Sequence, residues 1–338
     1  MDAAVMVQNV NAIVVYGDST SDLDLLIRPK KIGIQTPNTA SLDEDPFRLA
    51  QHGDLESLQK LVEHGFDPIH TADSRGANVL LWAAGGGHLD MLRYLIETCG
   101  CDPAWKQKAK RSFGGRTALH WAARKGHVEV CRYLVNSCNV DLEAITTDGT
   151  TAFSWASWQA HRCVMQFLHS SGCNVTSSNT FGCNAALWAA QGAADSAVME
   201  WLDRIGCSVF QVNSNGHGVL HKAAQRGRED VSKWFVEHLF KKLLEMQNSE
   251  CDIDLQLIGP DSDKCTPSDL AGMESHEELA KWIASQEMLF IGLLGQSTRK
   301  YFVPEWLKQT PSVESYDLRW EAGAGLMRLQ TVFHRMHN

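Results

Sequence analysis

One short signature recurs along this chain, and its spacing leaves few folds open. It reads Phe47-Arg48-Leu49-Ala50, Leu80-Leu81-Trp82-Ala83, Leu119-His120-Trp121-Ala122 and Phe153-Ser154-Trp155-Ala156. It continues at Leu187 to Ala189, at Leu220-His221-Lys222-Ala223 and at Ser268-Asp269-Leu270-Ala271. The alanines stand at 50, 83, 122, 156, 189, 223 and 271, so the steps are 33, 39, 34, 33, 34 and 48. Four of the six lie within one residue of 33. A period of this length marks a repeat architecture, in which a unit too small to bury its own apolar face stacks on its neighbours.

Other residues keep the same register. Six positions before the Trp or Lys of the signature stands a glycine: Gly76, Gly115, Gly149, Gly182 and Gly216. A tight hairpin tip with a positive φ explains the choice. Eleven to thirteen residues after the alanine come large apolar pairs, Tyr94-Leu95, Tyr133-Leu134, Phe167-Leu168, Trp201-Leu202 and Trp234-Phe235, which predict a second helix. Gly65, Gly100, Gly172 and Gly206 follow that helix where a left-handed C-cap is expected, and Asn139 takes the place in the third copy.

Together these residues resemble the ankyrin-repeat family, and the stretch from Gly115 to Val130 is the closest to its pattern. The resemblance spans about Asp45 to Ile283. It implies an all-α ankyrin-repeat solenoid, a β-turn plus a helix pair per repeat, with about seven repeats including degenerate caps. Asp43 and Lys264 stand where the outermost hairpin glycines are expected, which fits capping repeats at both ends. The expected organisation is an N-terminal arm (1–42), an array (43–283) and a C-terminal segment (284–338). Insertions fall near 104–112 and 241–261. They either build a binding face or are loops whose length is tolerated.

Bulk properties narrow the class. The 338 residues are 44% apolar and 21% charged, as in a folded soluble protein. A net charge of -9 argues against nucleic acid, whose phosphates are neutralised by Lys and Arg. Ten cysteines show no Cys-x-x-Cys and no disulfide framework. The longest apolar run falls short of a membrane span. The expectation is a soluble protein in the reducing cytoplasm, or the nucleus, with no cofactor and no metal. Among the fourteen histidines one pair, His217 and His221, has the His-x-x-x-His spacing, with no Cys-x-x-Cys set to complete a zinc site, and Gly85-Gly86-Gly87 lacks the strand and the Gly-Lys-Ser/Thr of a phosphate loop.

One stretch imitates an enzyme. Ile13 to Asp22 resembles the nucleophile block of GDSL-type serine hydrolases, with Ser19 as nucleophile. That chemistry needs a base and oxyanion donors. The one Asp-x-x-His of the chain, Asp67 to His70, falls inside the repeat array and not at the end of a hydrolase domain, and too few residues separate Ser19 from the array to build that fold. No catalytic residue is assigned.

The resemblance implies instead a protein-protein interaction scaffold, whose partner lies in a concave groove lined by hairpin tips and first helices. At the tips it selects Ser74, Arg75 and Ala77, then Phe113 and Arg116, Thr147, Asp148 and Thr150, Phe181 and Cys183, Asn215 and His217. On the helices it selects Gly85, Arg124, Lys125, Trp158, Gln159, Gln191, Gln225 and Arg226. Trp82, Trp121, Trp155 and Trp188 recur at one position and are expected in the core. Trp158 is expected to be an exposed groove aromatic. His120 and His221, by the family's pattern, tie adjacent loops together, and His88 and His127 take the same structural reading. Lys106, Lys108, Lys110 and Arg111 form a basic cluster suited to an acidic or phosphorylated partner segment.

At the end of the chain, Leu326, Leu329, Phe333 and Met336 share a helical spacing, with Trp320 before them. A basic helix over 319–338 is expected, either capping the last repeat or docking on a second machine such as a ubiquitin ligase or a membrane complex.

Overall fold

A computed structural model describes residues 45–108, 114–246, 255–297, 317–321 and 328–332. The chain divides into two compact units, Met1–Thr180 and Phe181–Asn338.

In the first unit the described residues form four helix pairs: α1 (Pro46–His52) with α2 (Leu55–Glu63), α3 (Val79–Gly86) with α4 (Leu89–Arg93), α5 (Ala118–Lys125) with α6 (Val128–Arg132), and α7 (Ala152–Trp158) with α8 (Arg162–Ser170). Each first helix starts at a polar cap. Asp45, Asn78 and Thr151 accept from the backbone N–H of Phe47, Leu81 and Ser154, which satisfies a donor the helix itself leaves open. The helices end on left-handed Gly53, Gly87 and Gly126. The signature alanines are what lets the stack close. Ala83, Ala84, Ala122 and Ala123 are fully buried, and α1 packs on α3, α3 on α5 and α5 on α7. A side chain of one carbon keeps those helix axes close.

Hairpins join edge to edge on one side of this stack. Bridges Ala72–Asn78 and Ile145–Thr151 close the tips, Thr147 N donates to Gly114 O at 3.0 Å, and Thr180 N donates to Asp148 O at 2.9 Å. Gly149 holds the expected positive φ, 81°. Asn139 also takes the left-handed turn expected of it, at φ 51°. Two second helices carry a feature the sequence did not announce: α4 and α6 run on into π-helical turns, Tyr94–Thr98 and Tyr133–Ser137.

The second unit repeats the plan with α9 (Ala185–Gln191) and α10 (Ser196–Arg204), α11 (Val219–Gln225) and α12 (Glu229–Met246), and α13 (Pro267–Met273) and α14 (Glu277–Ser297), with a 3-10 turn at Leu255–Leu257. Ser214 N donates to Phe181 O and Ser262 N to Asn215 O, which joins its hairpins in turn. Lys264, standing where a hairpin glycine is expected, adopts that conformation at φ 67°. Phe235 and Phe290 are buried, and Phe290 stacks on Phe240 at 4.1 Å between centroids.

The expected helix over 319–338 is not what forms. Strand β1 (Asp317–Glu321) pairs antiparallel with β2 (Arg328–Val332), placing Trp320 opposite Leu329 and Leu318 opposite Thr331. Gly323 and Gly325 lie in the sequence between the two strands, and each costs a helix interior about 1 kcal/mol. Leu326, Phe333 and Met336 lie outside the described residues.

Candidate functional site

Four hairpin tips are held by a polar residue three positions before the tip glycine, or before Lys264 in the last of them. Asp73 accepts from Arg75 N at 2.9 Å and Ala77 N at 2.8 Å, and its second oxygen accepts from Trp82 Nε1 at 3.1 Å. Thr146 accepts from Thr150 N at 3.0 Å. In the second unit Asn213 accepts from Asn215 N and His217 N, and Asp261 from Asp263 N and Cys265 N. These turns fix the backbone from which the tip side chains project. The sequence reading passed over this residue, although Asp73, Thr146, Asn179, Asn213 and Asp261 stand in register and such side chains favour turns closed on their own backbone.

The first unit presents exposed Ser74, Arg75, Thr147 and Lys125, and half-buried Asp148, Arg124 and Gln159. Several expectations about exposure need correction. Trp158 is only 8% exposed, because the Arg124 guanidinium covers it at 4.8 Å from the ring centroid. Arg116 is likewise 8% exposed and lies 4.8 Å from the Trp155 centroid. Arg124 also reaches Trp155, at 5.1 Å. Ala77 and Thr150 are buried. Both carboxylate oxygens of Asp148 accept from hydroxyls of its own hairpin, Thr146 Oγ1 and Thr150 Oγ1. Of the tryptophans expected in the core, Trp82 and Trp155 are buried whereas Trp121 is half-buried.

Burial pushes the Arg116 guanidinium down to about 10, Arg124 and Arg75 act in the same direction, and Asp148 opposes them. His120 Nε2 donates to Thr150 O at 3.1 Å while its Nδ1 accepts from Thr117 N at 3.3 Å. This is a neutral ring tying two loops, and burial holds its pKa down at about 4. His88 and His127, at the starts of α4 and α6, donate to Gln51 O and Gly85 O, each at 2.9 Å. Their structural reading holds.

In the second unit Phe181 and Asn215 are exposed, while Cys183, Trp188, Gln191, Gln225 and Arg226 are half-buried. His217 is not a groove side chain. It is 5% exposed, bonds Asp261 Oδ2 through Nε2 at 2.8 Å and stacks on His221. Burial, then Lys222, lowers its pKa against the pull of Asp261. His221 donates to Gly259 O at 2.8 Å, the loop tie expected of it.

Of the basic cluster, Lys106 and Lys108 are exposed. Lys110, Arg111, Phe113 and Ser19 lie outside the described residues. Among the described residues no three His, Cys, Asp or Glu side chains come together as a metal site, and no helix is long and apolar enough to cross a membrane.

Comparison of the sequence with known families and relatives agrees with this architecture. The model for ankyrin repeats (3 copies) matches residues 47–145 and 99–179. Two ankyrin repeat proteins of Rickettsia felis are 45% identical over 51 residues, 15% of this chain and 79% and 76% of theirs. A solved chain in the complex of the predatory endopeptidase Bd0816 from Bdellovibrio bacteriovorus with immunity protein Bd3460 is 23% identical, with a TM-score of 0.47 over 59% of this chain and 99% of that one. With its helix pairs, hairpin glycines and histidine ties in register, this chain belongs to the ankyrin-repeat family.

Proposed function

We propose that this chain works by holding a partner protein against the hairpin tips and first-helix ends of its units, and not by catalysis. Ankyrin repeats are a protein-protein interaction module, and one observation carries the reading here. Exposed Arg75, Thr147 and Asn215 project from turns closed by side-chain hydrogen bonds that span two or four residues. A platform rigid before binding loses little entropy on binding. The partner segment is acidic or phosphorylated where it meets the basic cluster of sequence Lys106, Lys108, Lys110 and Arg111. The free thiols of buried Cys101, Cys131, Cys173 and Cys207 suit a reducing compartment, the cytoplasm or nucleus.

Site-specific crosslinking tests this. A photoreactive residue at Ser74 or Thr147 is expected to capture one defined protein in native extract. The same group at exposed Gln166 or Glu129, on the second helices, is expected not to. Capture from the second helices alone would overturn the reading.

A further inference from the structure

We propose that the hairpin tip at Asn215-Gly216 is a site of spontaneous covalent change, where the Asn215 side chain loses its amide to the next backbone nitrogen and becomes aspartate or isoaspartate. The inference goes beyond the partner-binding reading and does not depend on it. The chemistry is intramolecular, so no encounter limits it. Gly216 N attacks Cγ of Asn215, the N–Cγ bond forms, and the Cγ–Nδ2 bond breaks. The proton of Gly216 N leaves with Nδ2 as ammonia. Water then opens the five-membered imide at either carbonyl, which leaves an aspartate or an isoaspartate. Such a step needs an untied amide, access to water and an uncrowded nitrogen.

Asn215-Gly216 is the one Asn-Gly pair in the sequence. Asn215 is exposed, and among the described residues its hydrogen bonds are backbone ones, from N to Asn213 Oδ1 and to O from Ser262 N. The glycine is fixed by the fold. Its φ is 79°, and a Cβ there would lie 3.1 Å from Asp261 Cα, so no side chain can shield the nitrogen. Other asparagines lack one of these conditions. Asn78, Asn184 and Asn213 are buried, each with Oδ1 accepting from backbone N–H. Exposed Asn136, Asn139 and Asn174 are followed by Ser137, Val140 and Val175, whose side chains crowd the attacking nitrogen. Asp148 also precedes a tip glycine, but it is a carboxylate, and both its oxygens accept from threonine hydroxyls. One bond opposes the attack: Gly216 N donates to Asn213 O at 2.9 Å, and it must open first.

The product differs from the parent in two ways. Aspartate adds a negative charge to an exposed tip. Isoaspartate also lengthens the main chain through the tip by one carbon and turns the carbonyl that Ser262 N uses into a free carboxylate. That carbonyl joins this hairpin to the next one, at 3.0 Å. Isoaspartate at 215 therefore loosens the tie to the last hairpin, which the charge alone leaves in place.

The test incubates the full chain, folded and unfolded in urea, from pH 6 to 9. Mass spectrometry of its peptides and labelling by an isoaspartyl methyltransferase locate the change. Residue 215 is expected to convert before any other asparagine, faster as the pH rises because Gly216 N must lose its proton. The folded chain is expected to react about two- to tenfold more slowly than the unfolded one, the worth of the bond to Asn213 O. Asn215→Gln, whose longer side chain must close a six-membered ring, is expected to abolish the change. The isoaspartate form, separated by ion exchange, is expected to melt about 2–4 °C lower, the shift one lost hydrogen bond brings to an array of this length. Asn215→Asp, which carries the charge alone, is expected to melt with the unmodified protein. Conversion of another asparagine first, a rate indifferent to pH, or an unchanged residue 215 after many half-lives of the unfolded chain overturns the proposal. An isoaspartate form that melts with the unmodified protein overturns the loosened tie.

Discussion

The ring of His127 covers Gly87 so closely that a Cβ on that glycine would lie 2.5 Å from Nδ1, while Nε2 of the same ring donates to Gly85 O at 2.9 Å. Gly53 stands under His88 and Gly126 under His161 in the same way. Each glycine thus answers two demands, a left-handed φ and the room for a histidine from the next repeat. Gly100 has the same kind of φ, 75°, with nothing within 4 Å of the added carbon. Gly100→Ala is therefore expected to cost only backbone strain, about 1–2 kcal/mol. Gly87→Ala is expected to cost a further 1–3 kcal/mol or so from overlap. Urea unfolding of the two variants measures the difference, and equal losses would remove the histidine from the explanation.

Acid is expected to destabilise the protein before its carboxylates protonate. Burial holds His120 and His221 neutral, with pKa values near 4 against the usual 6.5, and His127 and His161 shift the same way. A folded-state pKa below the unfolded value means that the unfolded chain takes up protons first. This stability is therefore complete above about pH 6.5 and is lost as the pH falls toward 4, by roughly 1.4 kcal/mol per pH unit for each such histidine. Melting temperatures from pH 7.5 to 4 check the slope. His120→Gln is expected to flatten it, and a profile flat in the wild type would refute the assignment.

Ala160 carries a strain that its counterparts avoid. It immediately precedes His161, as Gly87 precedes His88 and Gly126 precedes His127, yet its φ is 56°. Ala160→Gly is expected to raise stability by about 0.5–1 kcal/mol, the relief of left-handed strain less the extra chain entropy of glycine. A lower melting temperature would show that the alanine methyl makes up for its backbone.

Trp158→Ala is expected to cost roughly 3–5 kcal/mol of stability, because the ring is buried and large-to-small changes leave a cavity. An exposed anchor would have lost binding alone. A variant that melts at the wild-type temperature would return Trp158 to the surface.

Purified protein is expected to hydrolyse short acyl esters no faster than background, with Ser19→Ala making no difference. An activity abolished by that one substitution would overturn the binding-only reading.

Gly149 and Asn139 were legible from the chain because each answers a local demand, whereas His120 was placed by its resemblance to the family's pattern. A tip needs a positive φ, and a helix end needs a residue that tolerates the left-handed turn. These demands recur at the period of the repeat, so register and helix pairing could be read without coordinates. The exposure of Trp158 and Arg116 could not. Both depend on partners a repeat away, Arg124 over the first and Trp155 under the second, and residue type does not tell whether a cation will lie across an indole. His217 was misplaced for a related reason: its partner Asp261 is 44 residues distant, across the longest insertion. At the C-terminus, a spacing of 3, 4 and 3 over so few residues fits a helix and does not exclude strands. The pairing of Trp320 with Leu329 settles it as β, since strand formation is decided by the segment opposite and not by the segment itself.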